Sequence, residues 1–173
     1  MRIIPVLDVK DGQVVRGIAG RRDEYRPIQS QLTSSTDPLE VAHSIRDAFA
    51  LSEFYLADLD AILGKKASLA LFERLIANDF QVMIDCGIRS TEEAKPLIEC
   101  GAQIVAGLET MPDVSVLDDL CSRWGSDVIF SLDLKNCRPL AWSDKVSEVI
   151  NLVTKVGVER MLILDLATVG THA

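Results

Sequence analysis

The chain has 173 residues, 48 % apolar and 25 % charged, with 10 glycines, 6 prolines and a formal charge of −8. This is the make-up of one packed globular domain and excludes disordered, collagen-like and low-complexity classes. The negative balance also sets aside nucleic acid and anionic membranes as default partners, since those surfaces attract clustered Lys and Arg, so any bound anion must be held by a local site.

In chain order, Ile3 to Asp8 reads as a first apolar strand, and Asp37 before Pro38 reads as an N-cap with proline at the first helical position. Glu53 to Asp58 is the second strand, followed by a helical pattern opening near Ala67. Gln81 to Asp85 is the third, with Ser90-Thr91-Glu92-Glu93 supplying a cap and first-turn acids for the next helix, which should stop near Gly101. Gln103 to Gly107 and Val128 to Asp133 are strands four and five, each followed by a helix, opening near Asp113 and Asp144. Gly157 ends the last helix, and Arg160 to Asp165 is strand six. Short apolar runs alternating with amphipathic stretches predict an α/β fold with parallel strands.

The longest apolar stretch free of charge, around Gln103 to Leu108, is far shorter than the roughly 20 residues of a membrane span. Arg2, Asp8 and Lys10 stand where a signal peptide would need a basic segment and a long apolar one, so a cytoplasmic protein is expected. Cys86, Cys100, Cys121 and Cys137 never approach a C-x-x-C spacing, and His43 and His172 do not cluster with them. No metal site or disulfide framework is expected, and the cysteines read as small buried hydrophobes. Met83 and Met161 read as core filler and Trp124 as packing, whereas Trp142 reads either as packing or as a shelf for a substrate ring.

Asp8, Asp58, Asp85, Asp133 and Asp165 each close an apolar run. One such aspartate most simply caps a turn, but five at the carboxyl ends of parallel strands point to a shared ligand site. The chain also echoes itself: Leu7-Asp8-Val9-Lys10-Asp11-Gly12 resembles Leu132-Asp133-Leu134-Lys135-Asn136-Cys137, and Leu56-Ala57-Asp58-Leu59 resembles Ile163-Leu164-Asp165-Leu166. Unit one matches unit five and unit two matches unit six, which predicts a TIM-type (β/α)8 barrel built from a duplicated half. Such a barrel takes about 250 residues. The expectation is therefore a single partial-barrel domain over residues 1–173, with about five and a half βα units. It would be a fragment, be completed by a partner, or self-associate through open sheet edges.

The opening Ile4-Pro5-Val6-Leu7-Asp8-Val9-Lys10-Asp11-Gly12-Gln13-Val14-Val15-Arg16-Gly17 resembles the first strand and loop of the histidine-biosynthesis barrels. These are the phosphoribosylformimino-aminoimidazole-carboxamide ribotide isomerase and the cyclase subunit of imidazole glycerol phosphate synthase. Asp37-Pro38, Ala57-Asp58-Leu59-Asp60-Ala61, Gly87-Ile88-Arg89-Ser90, Ser131-Leu132-Asp133 and Gly170-Thr171 continue the resemblance in order along the whole chain. It implies an Amadori rearrangement of a phosphorylated aminoaldose to the aminoketose, by two carboxyl groups and with no cofactor. Asp8 takes the place of the base and Asp133 that of the acid. Arg16, Gly87, Arg89, Gly107, Gly170 and Thr171 take the places of substrate-binding positions, although Arg16 reads equally as a solvated loop cation, and Lys10 either tunes Asp8 or faces water.

The chain departs from the family at the turn after strand three, where a Gly-Gly-Gly-Ile-Arg-Ser pattern is replaced by Asp85-Cys86-Gly87-Ile88-Arg89-Ser90. Asp85 there would repel a phosphate unless it points away or pairs with Arg89. Glu109 adds an acid nearby, and after strand six Val169 replaces the family's acid. Two alternatives to the isomerase therefore stay open. One is a divergent relative with another substrate, since isomerase-like proteins with an Asp-x-Gly turn are associated with methanopterin-linked one-carbon metabolism. The other is a non-catalytic partial barrel that binds a ligand or partner.

Overall fold

The computed structural model describes residues 2–171, so His172 lies outside the described residues. The chain runs β1 (Val6–Lys10), β2 (Gln13–Arg16), β3 (Arg26–Pro27), α1 (Pro38–Phe49), β4 (Glu53–Asp58), α2 (Leu59–Ile62), α3 (Leu69–Ile76) and β5 (Gln81–Asp85). It continues through α4 (Thr91–Glu99), β6 (Gln103–Gly107), α5 (Val114–Trp124), β7 (Val128–Lys135), β8 (Arg138–Pro139), α6 (Val146–Lys155) and β9 (Met161–Asp165). Strands β1, β4, β5, β6, β7 and β9 pair in that order, all parallel. This is the expected α/β architecture, and six parallel strands with helices between them match the leading units of a TIM-type barrel.

Strand parity builds the layers, because successive side chains on a strand point to opposite faces. Phe54 and Leu56, Val82 and Ile84, Ile104 and Ala106, and Val128, Phe130 and Leu132 face outward and pack under Val41, Phe72, Leu75, Leu97, Leu117, Leu120 and Val149 of the helices. Tyr55, Ala57, Met83, Val105 and Ile129 have the opposite parity and form a second, inner cluster.

Three short strands and one short helix were not expected from the pattern. Asp11 and Gly12, with φ of 50° and 74°, make a two-residue turn that folds β2 back on β1, with Lys10 opposite Gln13. Positive φ at both positions matches the right-handed twist of the flanking strands, and Asp-Gly favours it. Asn136 and Cys137, at 53° and 62°, do the same between β7 and β8. The two echoed segments thus share a strand-turn-strand structure. Each turn is also tethered in the same way: Asp11 N–H donates to Asp60 Oδ2 at 2.7 Å, and Asn136 N–H to Asp165 Oδ1 at 3.1 Å. Because Pro5 has no N–H, regular pairing in β1 begins at Val6, later than the expected Ile3.

The reading of all four cysteines as buried is corrected: Cys86 is buried, Cys100 and Cys121 are half-buried, and Cys137 is exposed in its hairpin turn. Trp142 packs on the helix side. Its ring stacks on Phe130 at 5.8 Å and its indole N–H donates to the Met111 carbonyl, so it forms no substrate shelf.

Asp58 has outward parity and is 1 % exposed, and its carboxylate accepts from the N–H groups of Ala61 (3.1 Å) and Ser68 (2.9 Å). Its truncation strands two donors beneath the sheet. Asp58→Ala is expected to cost about 2 kcal/mol in urea denaturation, in line with unsatisfied buried groups. A cost under about 0.5 kcal/mol would show that the acid does not hold this turn.

Candidate active site

Three of the five strand-ending aspartates have inward parity: Asp8 on β1, Asp85 on β5 and Asp133 on β7. They line one cavity of about 240 Å³, together with Tyr25, Tyr55, Arg22, Glu109 and Ser131. Asp58 and Asp165 have the other parity and fasten backbone N–H groups, so the capping reading applies to them. Its acids sit at the carboxyl ends of the strands, and its apolar lining, with Ile4, Val6, Met83 and Leu162, runs back along the inner face of the sheet.

Each aspartate is held differently. Asp133 Oδ1 accepts from Ser131 Oγ at 2.6 Å, and Oδ2 accepts from the Glu109 N–H at 3.0 Å. Gly107 lies close by: a Cβ there would sit 3.1 Å from Asp133 Oδ2, so a side chain at this position would crowd the carboxylate against β6. Asp85 Oδ2 accepts from the buried Tyr55 hydroxyl at 2.8 Å, and Oδ1 accepts from the Gly87 N–H at 3.2 Å. Asp8 is approached by the loop after β2, and a Cβ on Gly17 would lie 2.8 Å from Asp8 Oδ2.

That loop is strapped over the mouth. Arg22 donates to both carboxylate oxygens of Glu109, at 3.0 and 2.6 Å. Lys10 Nζ donates to the Arg22 carbonyl at 2.9 Å, so Lys10 fastens the loop. Ala19 N–H donates to the Val169 carbonyl at 2.7 Å, which ties the loop to the segment after β9.

The electrostatics separate the carboxyls. Burial pushes Asp8 up to about 6, moderated by the Arg22 charge. Burial pushes Asp133 further, to about 7, against its hydrogen bonds and with added repulsion from Asp85 and Glu109. Asp85 is also raised by burial.

The remaining expected binding residues are dispersed. Gly87 occupies a left-handed turn beside Asp85, with φ of 69°. Arg89 turns from the cavity, donating to the carbonyls of Gly87 and Ile62, and does not pair with Asp85. Arg16 is exposed at the β2 edge, opposite Arg26 in β3. A Cβ on Gly170 would collide with the Gly17 carbonyl, and Thr171 Oγ1 donates to the Thr168 carbonyl at 2.8 Å, both in the turn that meets the first loop. Arg22, Tyr55 and Tyr25 were missed. Tyr55 was findable, because it shares parity with Ala57 and lies on the inward face of a strand ending in an acid.

An α/β sheet of barrel type with carboxyl groups gathered at its carboxyl-terminal mouth defines the class of protein. Residues 2–173 match the model of the family described as "Histidine biosynthesis protein". The chain belongs to that family. It is 32 % identical to an uncharacterized protein of Methanocaldococcus jannaschii, over 99 % of this chain and 72 % of that one. It is 30 % identical to the 1-(5-phosphoribosyl)-5-((5-phosphoribosylamino)methylideneamino) imidazole-4-carboxamide isomerase of Campylobacter jejuni, over 98 % of this chain and 72 % of the relative. The isomerase of the same name from Burkholderia mallei is also 30 % identical, over 98 % of this chain and 69 % of its own length. Among the described residues no helix is long and apolar enough to cross a membrane.

A carboxyl raised by burial keeps its proton longer in the folded chain than in the unfolded one. Below pH 3.8 both states hold the Asp8 proton, between 3.8 and about 6 mainly the folded state holds it, and above that neither does. Stability from Asp8 is thus full in acid and lost as pH rises through about 6, by at most about 3 kcal/mol. Asp8→Asn is expected to stabilise the protein by about 1–3 kcal/mol at pH 8 and to change little at pH 4. Urea titrations at the two pH values check this, and equal effects at both would refute it.

Proposed function

We propose that this chain carries the acid and base of an aldose–ketose type isomerase that performs an Amadori rearrangement on an aminoaldose. The observation that carries the reading is the pair Asp8 and Asp133, on separate strands of one cavity with opposite electrostatic neighbours. Near neutral pH Asp8, beside Arg22, is mostly ionised and suited to a base. Asp133, beside Asp85 and Glu109, retains its proton more readily and is suited to an acid.

In the reaction, Asp133 gives its proton to the ring oxygen as the ring C–O bond breaks, leaving an open-chain Schiff base. Asp8 then takes the proton from the second sugar carbon, whose electron pair forms the enolamine. Tautomerisation of the enolamine yields the aminoketose. The isomerase names of the two bacterial relatives support this reading. Gly107 supports it by leaving the Asp133 carboxylate uncrowded at β6. A second reading, a family relative with a different substrate, is favoured by Asp85, whose carboxylate lines the cavity beside the Gly87 turn.

Turnover of the phosphoribosylformimino aminoaldose tests the proposal. Asp8→Asn and Asp133→Asn should each lower kcat about 100-fold or more, the usual range for a lost acid or base. Wild-type turnover in either variant would sink the reading. The pH profile of kcat/KM should be bell-shaped, with limbs near 6 and 7. Arg22→Ala removes the charge that holds Asp8 down, so the acid limb should move to higher pH while the alkaline limb stays nearly fixed. An acid limb that does not move would dissociate it from Asp8.

A further inference from the structure

The surroundings of Asp8 and Asp133 meet in one residue of the turn after β6. Gly107 pairs with Ser131 across the ladder, the Leu108 N–H donates to the Ser131 carbonyl at 2.9 Å, and the N–H groups of Thr110 and Met111 both return to the Gly107 carbonyl. These bonds pin the backbone of Glu109 beside β7, where its own N–H donates to Asp133 Oδ2 at 3.0 Å. The Glu109 side chain has a different partner: its two oxygens accept from Arg22, at 3.0 and 2.6 Å. Paired bonds of this kind fix the orientation of a guanidinium as well as its place. The two side chains are only 20 % and 32 % exposed, so water and salt screen them less than a surface pair. Arg22 is in turn the cation that moderates the effect of burial on Asp8. The other ties of its loop, from Ala19 to the Val169 carbonyl and from Lys10 to the Arg22 carbonyl, hold the main chain and do not fix where the guanidinium points.

We propose that Glu109 is a positioning residue that couples the two carboxyls of the site: its N–H seats Asp133, its side chain draws Arg22 toward Asp8, and the seating of the first loop and the arrangement of the pair are thereby one event. The inference rests on the reading of Asp8 and Asp133 as base and acid, and it deepens that reading by naming the contact that regulates both.

The groups around the pair define the test. Asp8 faces Arg22 and Tyr25, Asp133 faces Ser131, Asp85 and Glu109, and Tyr55 is near both. Burial holds both tyrosines above the usual phenol range, so they stay neutral while the carboxyls titrate. Glu109→Gln removes an anion that repels Asp133, so Asp133 should titrate at lower pH. If Glu109 acted only as a charge through space, Asp8 would move down as well, because losing an anion favours the ionised form of any nearby carboxyl. Release of Arg22 does the opposite, since a guanidinium that swings away leaves burial unopposed at Asp8. The direction in which Asp8 moves therefore separates positioning from charge.

Carboxyl-carbon NMR of aspartate-labelled protein follows both titrations without turnover, with Asp8→Asn and Asp133→Asn assigning the signals. In Glu109→Gln, Asp8 is expected to titrate about half a pH unit or more above its wild-type position, and Asp133 below its own. An Asp8 that stays in place or moves down would overturn the proposal. Glu109→Asp keeps the charge and shortens its reach, so Asp8 should rise while Asp133 changes little. Should Glu109→Gln fail the circular dichroism check of folding, that variant decides alone, and an unmoved Asp8 in it overturns the proposal. In an Arg22→Ala background Glu109→Gln should no longer raise Asp8, and a rise there would show that the effect does not pass through Arg22 and overturn the coupling. The acid–base reading fails on a different result, retained turnover in Asp8→Asn, so the two are refuted independently.

Discussion

A strand turns alternate side chains to opposite faces, and the site depends on that constraint. In β1, β5 and β7 the last or near-last inward position is an aspartate, whereas in β4 and β9 the aspartate falls one step out of phase. The same residue type at the same end of successive strands therefore acquires two roles. In-phase carboxyls share the cavity, and out-of-phase ones tie down the loops that frame it. A shift of one residue in the register of any strand would exchange those roles and bury Phe54, Ile84 or Phe130 on the wrong side. The outer apolar layer that fixes the register thus also fixes which acids face the cavity.

Gathering carboxyls in a half-buried cavity works against stability and for reactivity. Desolvation opposes the ionised forms, and the neighbours decide how far each group is displaced. Arg22 reaches the mouth only because its loop is anchored through Lys10, Glu109 and the backbone of Val169. The loop therefore contributes more than cover: it separates the behaviour of Asp8 from that of Asp133, two groups that the sequence repeat would otherwise make alike. The echoed strands supply paired carboxyls, and asymmetry between their loops gives them different electrostatic neighbours.

Much of this was legible in the sequence. The six parallel strands follow from apolar runs of four to six residues, and α1, α4 and α5 are marked by Asp37, Ser90 and Asp113, each of which caps its helix through its side chain. The hairpins were less visible because β2, β3 and β8 are two to four residues long, although Asp11-Gly12 carries the turn chemistry openly. In the site, Asp8 and Asp133 are marked by the internal repeat, whereas the bond between Tyr55 and Asp85 joins adjacent strands across 30 residues. Arg22 and Glu109 are 87 residues apart, in loops whose course no periodicity encodes. Local rules reach the elements and their parity, and long-range pairs between loops lie beyond them.

Asp85 shows how one side chain can redirect a shared scaffold. The turn that begins at this strand end keeps a left-handed glycine, Gly87. The aspartate accepts from the Gly87 N–H and from the Tyr55 hydroxyl. The turn thereby presents a carboxylate to the cavity without altering the strand or its register. Family membership fixes the scaffold, while the charge of this wall is set on β5, two strands from Asp8 and two from Asp133. Carboxyls carried by different strands can thus diverge separately on one scaffold.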